Sequence, residues 1–480
     1  MSKKNLYISL VLGIFLLNIF IIAPPLQDDF LELGEFFPSL LRGFGFKSQK
    51  KETNHKISRL LSSSQVNQSS VYSDKIHFAQ SEYFVPGWAD TRWKYRKNIT
   101  IDHTKVDADL TNFPIYIELY DSDLQQEAQA SGNDILFTNA SGHLLNHEIE
   151  VYDRVYNSSH SHLVVWVNSN LSSTQDTIIS MYYGNPTAVN QEYSEDVWDD
   201  AYVGVWHLSE DPTDSSPAFK DSTPNNNDGT DYGSMTSGDQ VPGQIDGSLD
   251  FDGDDDYLEA DDSSSLTIPG SFTVSAWINT NDLPSAGDLR SVVAKGMPSD
   301  NPGENHNYGI MLENAILTAG QAIEVYYEPS TGWGDVVAAS WVTSLSLGQW
   351  YHVVGVHDAG ADTLTLFING IQRAQNTGAT ATPDTGNAPL RIADVNVDWA
   401  TNEFNGQIDE VRVSNTVRNT NWIQTEYNNQ NDSDTFYSVD AEEKYTDTID
   451  WHYPGLKCIY RKEITIDSTK VSGSSLSNFP

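Results

Sequence analysis

The chain has a single cysteine, Cys458, in 480 residues. That excludes an intramolecular disulfide framework and leaves no cysteine set for a zinc site. Bases are also scarce: 27 Lys and Arg stand against 67 Asp and Glu, a formal net charge of −40. Phosphate contacts need clustered cations, so the balance argues against nucleic acid as a partner and against adsorption to anionic membrane surfaces. Helical periodicity is lacking too, since no convincing apolar pattern of ten or more residues occurs outside the N-terminus. Aromatics are not scarce. At 11 %, with 12 Trp, they exclude global disorder, and the length suggests about two to four domains with real cores. Cations, neutral glycans and proteins are left as partners.

The one long hydrophobic run is Leu6–Ala23, preceded by Lys3 and Lys4 and followed by Pro24–Pro25 with no small-x-small cleavage site. Its length suits a transmembrane helix or the core of an export signal. We read residues 1–25 as an uncleaved signal anchor rather than a cleaved leader. The lysines hold the N-terminus in the cytoplasm and place the remainder outside the cell membrane. Residues 26–85, with the Ser/Gln-rich piece Ser62–Ser73, read as a disordered stalk. Six Asn-x-Ser/Thr sequons, at Asn67, Asn98, Asn139, Asn157, Asn170 and Asn431, are weak support for an exported chain.

The chain repeats itself. Tyr95–Pro114 (YRKNITIDHTKVDADLTNFP) returns as Tyr460–Pro480 (YRKEITIDSTKVSGSSLSNFP) with one inserted residue. Residues 451–480 are therefore expected to be a truncated second copy of the domain at 86–201, reached through a linker at 433–450. The first copy holds six short β-rich runs: Lys97–Ile101, Phe113–Leu119, Ile135–Thr138, Glu148–Val151, Leu163–Val167 and Thr177–Tyr183. Turn residues separate them, as in an all-β sandwich. The strings FTNASGHLLNHEIEVYD, LVVWVNSNLSS and IISMYYGNPTA resemble an uncharacterised domain family of prokaryotic surface proteins, which brings no catalytic residue with it.

Residues 202–432 carry period-2 segments such as Phe272–Asn279 and Leu364–Ile368, and a tight-hairpin signal at Asn369-Gly370. Nine ordered blocks, from VGVWHL at Val203–Leu208 to FNGQIDEVRVSN at Phe404–Asn415, resemble the laminin-G-like (concanavalin A-like) jelly-roll family. The expected fold is all-β: two β-sandwich domains, one a β-rich surface module and the other a jelly roll, after an N-terminal transmembrane helix.

Calcium takes six to eight oxygen ligands, and the loop Asp221–Gly229 offers Asp221, Asn225, Asn226, Asn227 and Asp228. The resemblance implies a structural Ca2+ held by Asp221, by Asp409 on the last strand, and by loop carbonyls near Asn226 and Gly229. The alternative is that these are ordinary Asx-turn residues. Asp250–Asp256 lacks EF-hand spacing and reads as solvated loop charge. Aromatic residues in loop-like contexts, Tyr308, Tyr327, Trp333, Trp341 and Trp399, are the candidate sugar platforms, whereas Trp206, Trp277 and Trp350 are expected in the core. Glu148 and Glu150 share one strand face, the nearest approach to a glycosidase carboxylate pair, but they fall in the wrong module and read as an exposed face. No catalytic residue is assigned.

The resulting expectation is a membrane-anchored surface protein, not an enzyme, that binds glycans or surface proteins through a calcium-stabilised jelly roll. The alternatives are a structural envelope repeat, or accessory modules of a glycoside-active enzyme. The charge is unevenly spread: Glu192–Asp262 holds 21 acidic residues and one base, Lys220, about half the net charge, which marks the expected calcium region.

Overall fold

The protein is described from a computed structural model. It describes residues 88, 90–296, 306–314, 316, 318, 320–329, 336–395 and 402–445. The expected signal anchor, the stalk, the second repeat copy, Trp333 and Trp399 lie outside the described residues. Among those described, no helix is long and apolar enough to cross a membrane.

All six β-rich runs of the first module are strands. Tyr95–Ile101, Thr177–Tyr183, Leu136–Asn139 and Leu144–Leu145 lie in one sheet, and Leu110–Asp121, Ser161–Leu171 and His147–Asp153 form a second, three-stranded sheet. Ile99, Ile101, Phe137 and Ile179 of the first meet Phe113, Ile115, Ile117 and Val165 of the second in one apolar cluster. The opposite face of the three-stranded sheet, with Tyr116, Val164 and Trp166, is buried as well. It packs toward the jelly roll, which explains why Ser161–Leu171 reads almost continuously apolar rather than alternating.

The jelly roll is an eight-stranded sheet facing a seven-stranded one. Phe272, Val274, Ala276 and Ile278 of the first point at Val293, Ile310, Leu312, Ile323 and Val325 of the second. Asn369 and Gly370 take φ values of 52° and 73°, the positive values a two-residue hairpin requires, and Ile368 pairs Ile371 across it. Strand Asn405–Ser414 is central: Phe272–Thr280 lies on one side, while Gly247–Asp252 and Tyr202–Trp206 lie end to end on the other.

Two elements depart from expectation. Thr420–Asn431 is a 12-residue α-helix capped by the Asn419 side chain, which accepts from the Trp422 amide. Its buried face includes Thr425, Glu426, Asn429 and Gln430 beside Trp422 and Ile423. A largely polar buried face leaves no apolar stripe to read from sequence. The expected linker at 433–450 instead begins with a short helix, and Tyr437–Val439 and Glu443–Lys444 then pair antiparallel with Tyr95–Ile101, completing the first module's six-stranded sheet. The first sandwich is therefore closed by chain that follows the jelly roll.

Tyr437 anchors that closure: its hydroxyl accepts from the Glu118 amide at 2.8 Å and donates to the Glu118 carbonyl at 2.8 Å. Tyr437→Phe is expected to lower stability in urea denaturation by about 1–3 kcal/mol, through a backbone group left unpaired. An unchanged midpoint is the result a linker residue would give.

Candidate functional site

The densest chemistry lies where the two sandwiches meet. Strand His147–Asp153 supplies Glu148 and Glu150, the end of Tyr202–Trp206 leads into His207, and strand Asn405–Ser414 supplies Glu410 and Arg412. Glu410 sits at a β-bulge: between the pairs Ser275–Arg412 and Trp277–Asp409, two residues oppose one. Its φ is 53°, a strained value for a residue with a side chain, of the kind a bulge uses to re-aim a group.

His207 stands among three carboxylates. Its Nδ1 is 2.7 Å from Glu410 Oε1 and 3.6 Å from Glu150, and its Nε2 is 3.6 Å from Glu148. Arg412 binds Glu410 through Nε and Nη2 at 3.1 and 2.5 Å and Glu426 through Nη1 at 2.8 Å. Its guanidinium lies 4.4 Å from the Trp166 ring and 4.9 Å from that of Trp198. Those indoles donate to Glu150 at 3.1 Å and Glu148 at 2.8 Å respectively. Ser222 Oγ also donates to Glu148 at 2.6 Å.

Burial alone pushes the His207 pKa down, but Glu410, Glu150 and Glu148 outweigh it and hold the ring protonated well above the usual histidine range. Burial pushes Glu410 and Glu148 up, and their cationic and hydrogen-bonding partners pull both below the usual range. Glu150 has no such surplus; burial pushes it up to about 8. Asp409 is driven well up by burial and by neighbouring Glu410. The cluster is a proton-balanced interior network, closed to solvent. Glu148 and Glu150 do share a face, but that face is sealed in the junction: their side chains are 12 % and 3 % exposed. The exposed strand face expected from sequence is thus corrected; the sequence holds no sign of the partner surface that covers it.

The residues expected to hold calcium are engaged separately. Both Asp221 oxygens are occupied, accepting from the Val205, Thr223 and Asn227 amides and the Thr223 hydroxyl. The exposed Asn226 donates to the Pro224 carbonyl, and the Gly229 carbonyl accepts from the Phe219 amide. Asp409 accepts from the Ile245 amide at 2.8 Å. At Gly243 a Cβ would lie 2.6 Å from Asp409 Oδ2, so glycine lets that turn close over the carboxylate. These hydrogen bonds are those of an Asx turn at Asp221. The acidic run behaves as expected of loop charge at Asp252, Asp254 and Asp255, which are exposed, but Asp256 is buried and accepts from the Ser234 and Asp252 amides.

Two of the expected sugar platforms are corrected. Tyr308 and Tyr327 are fully buried, and their hydroxyls donate to the carbonyls of Leu266 and Ala381. Each ring fills the space between the jelly-roll sheets, so neither offers a face to a ligand. Trp341 packs on that core with Arg373 4.8 Å from its ring. Trp206 and Trp277 are core as expected. In a cleft of about 200 Å³ on the first module, lined by Trp88, Arg96, Asn98, Ser180 and Tyr182 among others, Arg96, Asn98 and Ser180 are already engaged. Arg96 binds Glu443 at 2.6 Å and covers Trp88 at 4.9 Å, and Ser180 donates to Asn98 at 2.8 Å.

Residues 252–424 match the family described as the concanavalin A-like lectin/glucanases superfamily. This stretch is similar to concanavalin A-like domains. Residues 131–207 match a domain of unknown function, DUF2341, which ends at His207 of the junction. No curated protein matches the chain. Among solved structures it is similar to the binding domain of paraclostridial mosquitocidal protein 1, at 15 % identity and TM-score 0.37 over 48 % of this chain and 52 % of that one. It is also similar to domain 4 of AbnA, an extracellular arabinanase of Geobacillus stearothermophilus in complex with arabinotriose, at 18 % identity and TM-score 0.35 over 47 % and 97 % of the two chains. A third is the receptor-binding domain of the botulinum neurotoxin C/D mosaic serotype, at 14 % identity and TM-score 0.37 over 48 % and 51 %. The chain thus spans about half the length of the toxin domains.

The raised pKa values fix a pH dependence. A group whose folded pKa lies above its unfolded one stabilises the fold at low pH and loses that contribution as pH rises. For Glu150 the loss runs from the ordinary carboxylate range to about 8, and for His207 it runs upward from about 6.5. The melting temperature is expected to fall between pH 6 and pH 9 as observed by calorimetry, with Glu150→Gln flattening the part below about pH 8. A wild-type profile flat across that window contradicts the network's protonation.

Asp221→Asn is expected to destabilise the fold by about 1–3 kcal/mol, through unpaired amides in its loop. The loss should be the same in millimolar calcium and in chelator. A calcium-dependent difference in urea midpoints would establish the ligand role.

Proposed function

We propose that the protein is an exported, non-catalytic binding protein in which the DUF2341 module and the concanavalin A-like jelly roll act together to hold glycans or surface proteins. The hydrophobic run Leu6–Ala23 would anchor it in the cell membrane with both modules outside. The observation that carries the non-catalytic part is the sealing of Glu148 and Glu150 behind His207, Ser222, Trp166 and Trp198. A glycosidase needs its two carboxylates open to the sugar and to water, and this pair is open to neither. Burying a charged network at a junction commits the two modules to each other, because separating them would expose unpaired partners. The family of the jelly roll, lectins and glucanases, supports a carbohydrate ligand.

The full chain, solubilised in detergent, is tested by affinity electrophoresis in gels containing laminarin, galactomannan or mixed-linkage β-glucan, with reducing-sugar release measured in parallel. Retardation without release is expected. Release that is abolished by Glu148→Gln or Glu150→Gln would establish an enzyme instead.

A further inference from the structure

The face of the three-stranded sheet that enters the junction also emerges from it. Tyr116, Glu118 and Tyr120 alternate along strand Leu110–Asp121, facing Trp166, Val164 and His162 across the strand pair. Tyr116 and Trp166 are deep in the junction, but Tyr120 is 52 % exposed. Beside it, on the turn between His147–Asp153 and Ser161–Leu171, Tyr156 is 50 % exposed and Val155 77 %. The rings of Tyr120, Tyr156 and His162 form one patch. Tyr120 stacks on His162 at 4.5 Å and 3°, which leaves its other face open, and Tyr156 leans on both at 5.3 and 5.1 Å.

Acceptors rim the patch. Glu118 accepts from the Tyr120 hydroxyl at 2.8 Å, the Tyr116 hydroxyl at 3.1 Å and His162 Nε2 at 2.9 Å. These bonds hold it below the usual carboxylate range, so it is charged, and its side chain is 27 % open to solvent. From the jelly-roll side comes Asp246, on the turn Gly243–Gly247 at φ 46°. Burial raises its carboxyl, and it feels the charges of His162 and Glu118. No side chain or amide among the described residues donates to that carboxylate. A half-buried acceptor without a donor, next to an open aromatic face at a module boundary, is a place where a ligand hydroxyl gains more than water does.

We propose that Tyr120 and Tyr156, with Glu118 and Asp246, form a sugar subsite at the mouth of the junction, one that takes neutral pyranose or furanose rings and rejects acidic ones. The C–H face of the sugar stacks on the open tyrosine face, and its hydroxyls donate to the two carboxylates. Uronates and sialates would set a third anion beside Glu118 and Asp246, with no free cation among the described residues to meet it, and repulsion excludes them. The proposal rests on the glycan reading above and names where, and for which sugars, it operates.

The test uses the full chain, the same three neutral polysaccharides and polygalacturonate as the acidic probe. Tyr156→Ala changes an exposed turn and is expected to leave the melting temperature within error while weakening retardation about threefold to tenfold, the range of a lost aromatic stack. Tyr120→Ala is expected to weaken it similarly, whereas Tyr120→Phe, which keeps the ring, should bind nearly as the parent does. Polygalacturonate should not retard the parent protein. If the parent binds a neutral probe and both alanine variants bind it equally well, the subsite is overturned and the glycan function stands with its site elsewhere. Preference for polygalacturonate overturns the assigned sugar class. If none of the probes is bound, the glycan reading and the subsite fall together.

Discussion

The contact between His207 and Glu410, 2.7 Å long and buried, is what the two-sandwich arrangement depends on. Glu410 reaches it only because a bulge in strand Asn405–Ser414 turns its backbone to a φ of 53°, at a strain cost of about 1–3 kcal/mol. The imidazolium gives Glu148 and Glu150, on the other module, a cation they could not otherwise share. Removing His207 would leave Glu148 and Glu150 without that cation, and Glu410 with only the guanidinium of Arg412, which Glu426 already shares. One histidine thus sets the protonation of one sandwich's carboxylates and the docking of the other.

The same junction separates two kinds of surface on one sheet. Where Tyr116, Trp166 and Trp198 are covered, the aromatics serve packing and hold Arg412. Four residues along the strand from Tyr116, past Glu118, the alternation places Tyr120 outside. Period-2 geometry delivers the same residue types to a core and to a rim, and only the extent of the covering module decides which is which.

Strand positions were legible because alternation and β-branched runs express burial directly. All six runs of the first module, the Asn369-Gly370 hairpin and the facing rows of the jelly roll follow from that pattern. The helix Thr420–Asn431 was illegible, since its buried face is largely Glu, Asn, Gln and Thr and its partners are Tyr116 and Trp277, more than a hundred residues away. The closing strands at 437–444 read as linker because three or two residues make too short a period to recognise. The site fared worse for a related reason. Tyr308 and Tyr327 stand next to turn-like sequence yet point inward, and Glu148 and Glu150 look solvated until the chain after residue 200 folds back on them. Exposure is a property of the assembled surface, and a local window carries no record of it.

The return of Tyr437–Val439 to Ile99–Ile101 has a consequence for how such a chain comes to its shape as it is made. The edge partner of the first strand is made more than three hundred residues later, so the leading sandwich emerges with an unpaired edge and Glu118 waiting for Tyr437. The jelly roll, whose contacts are largely its own, can condense first and act as the template that brings both ends of its neighbour together. Closure entropy for so long a loop grows only logarithmically, so the delay is one of time and exposure rather than of final stability. During that interval the open edge is the segment most in need of a chaperone, or of quick arrival of the chain that completes it.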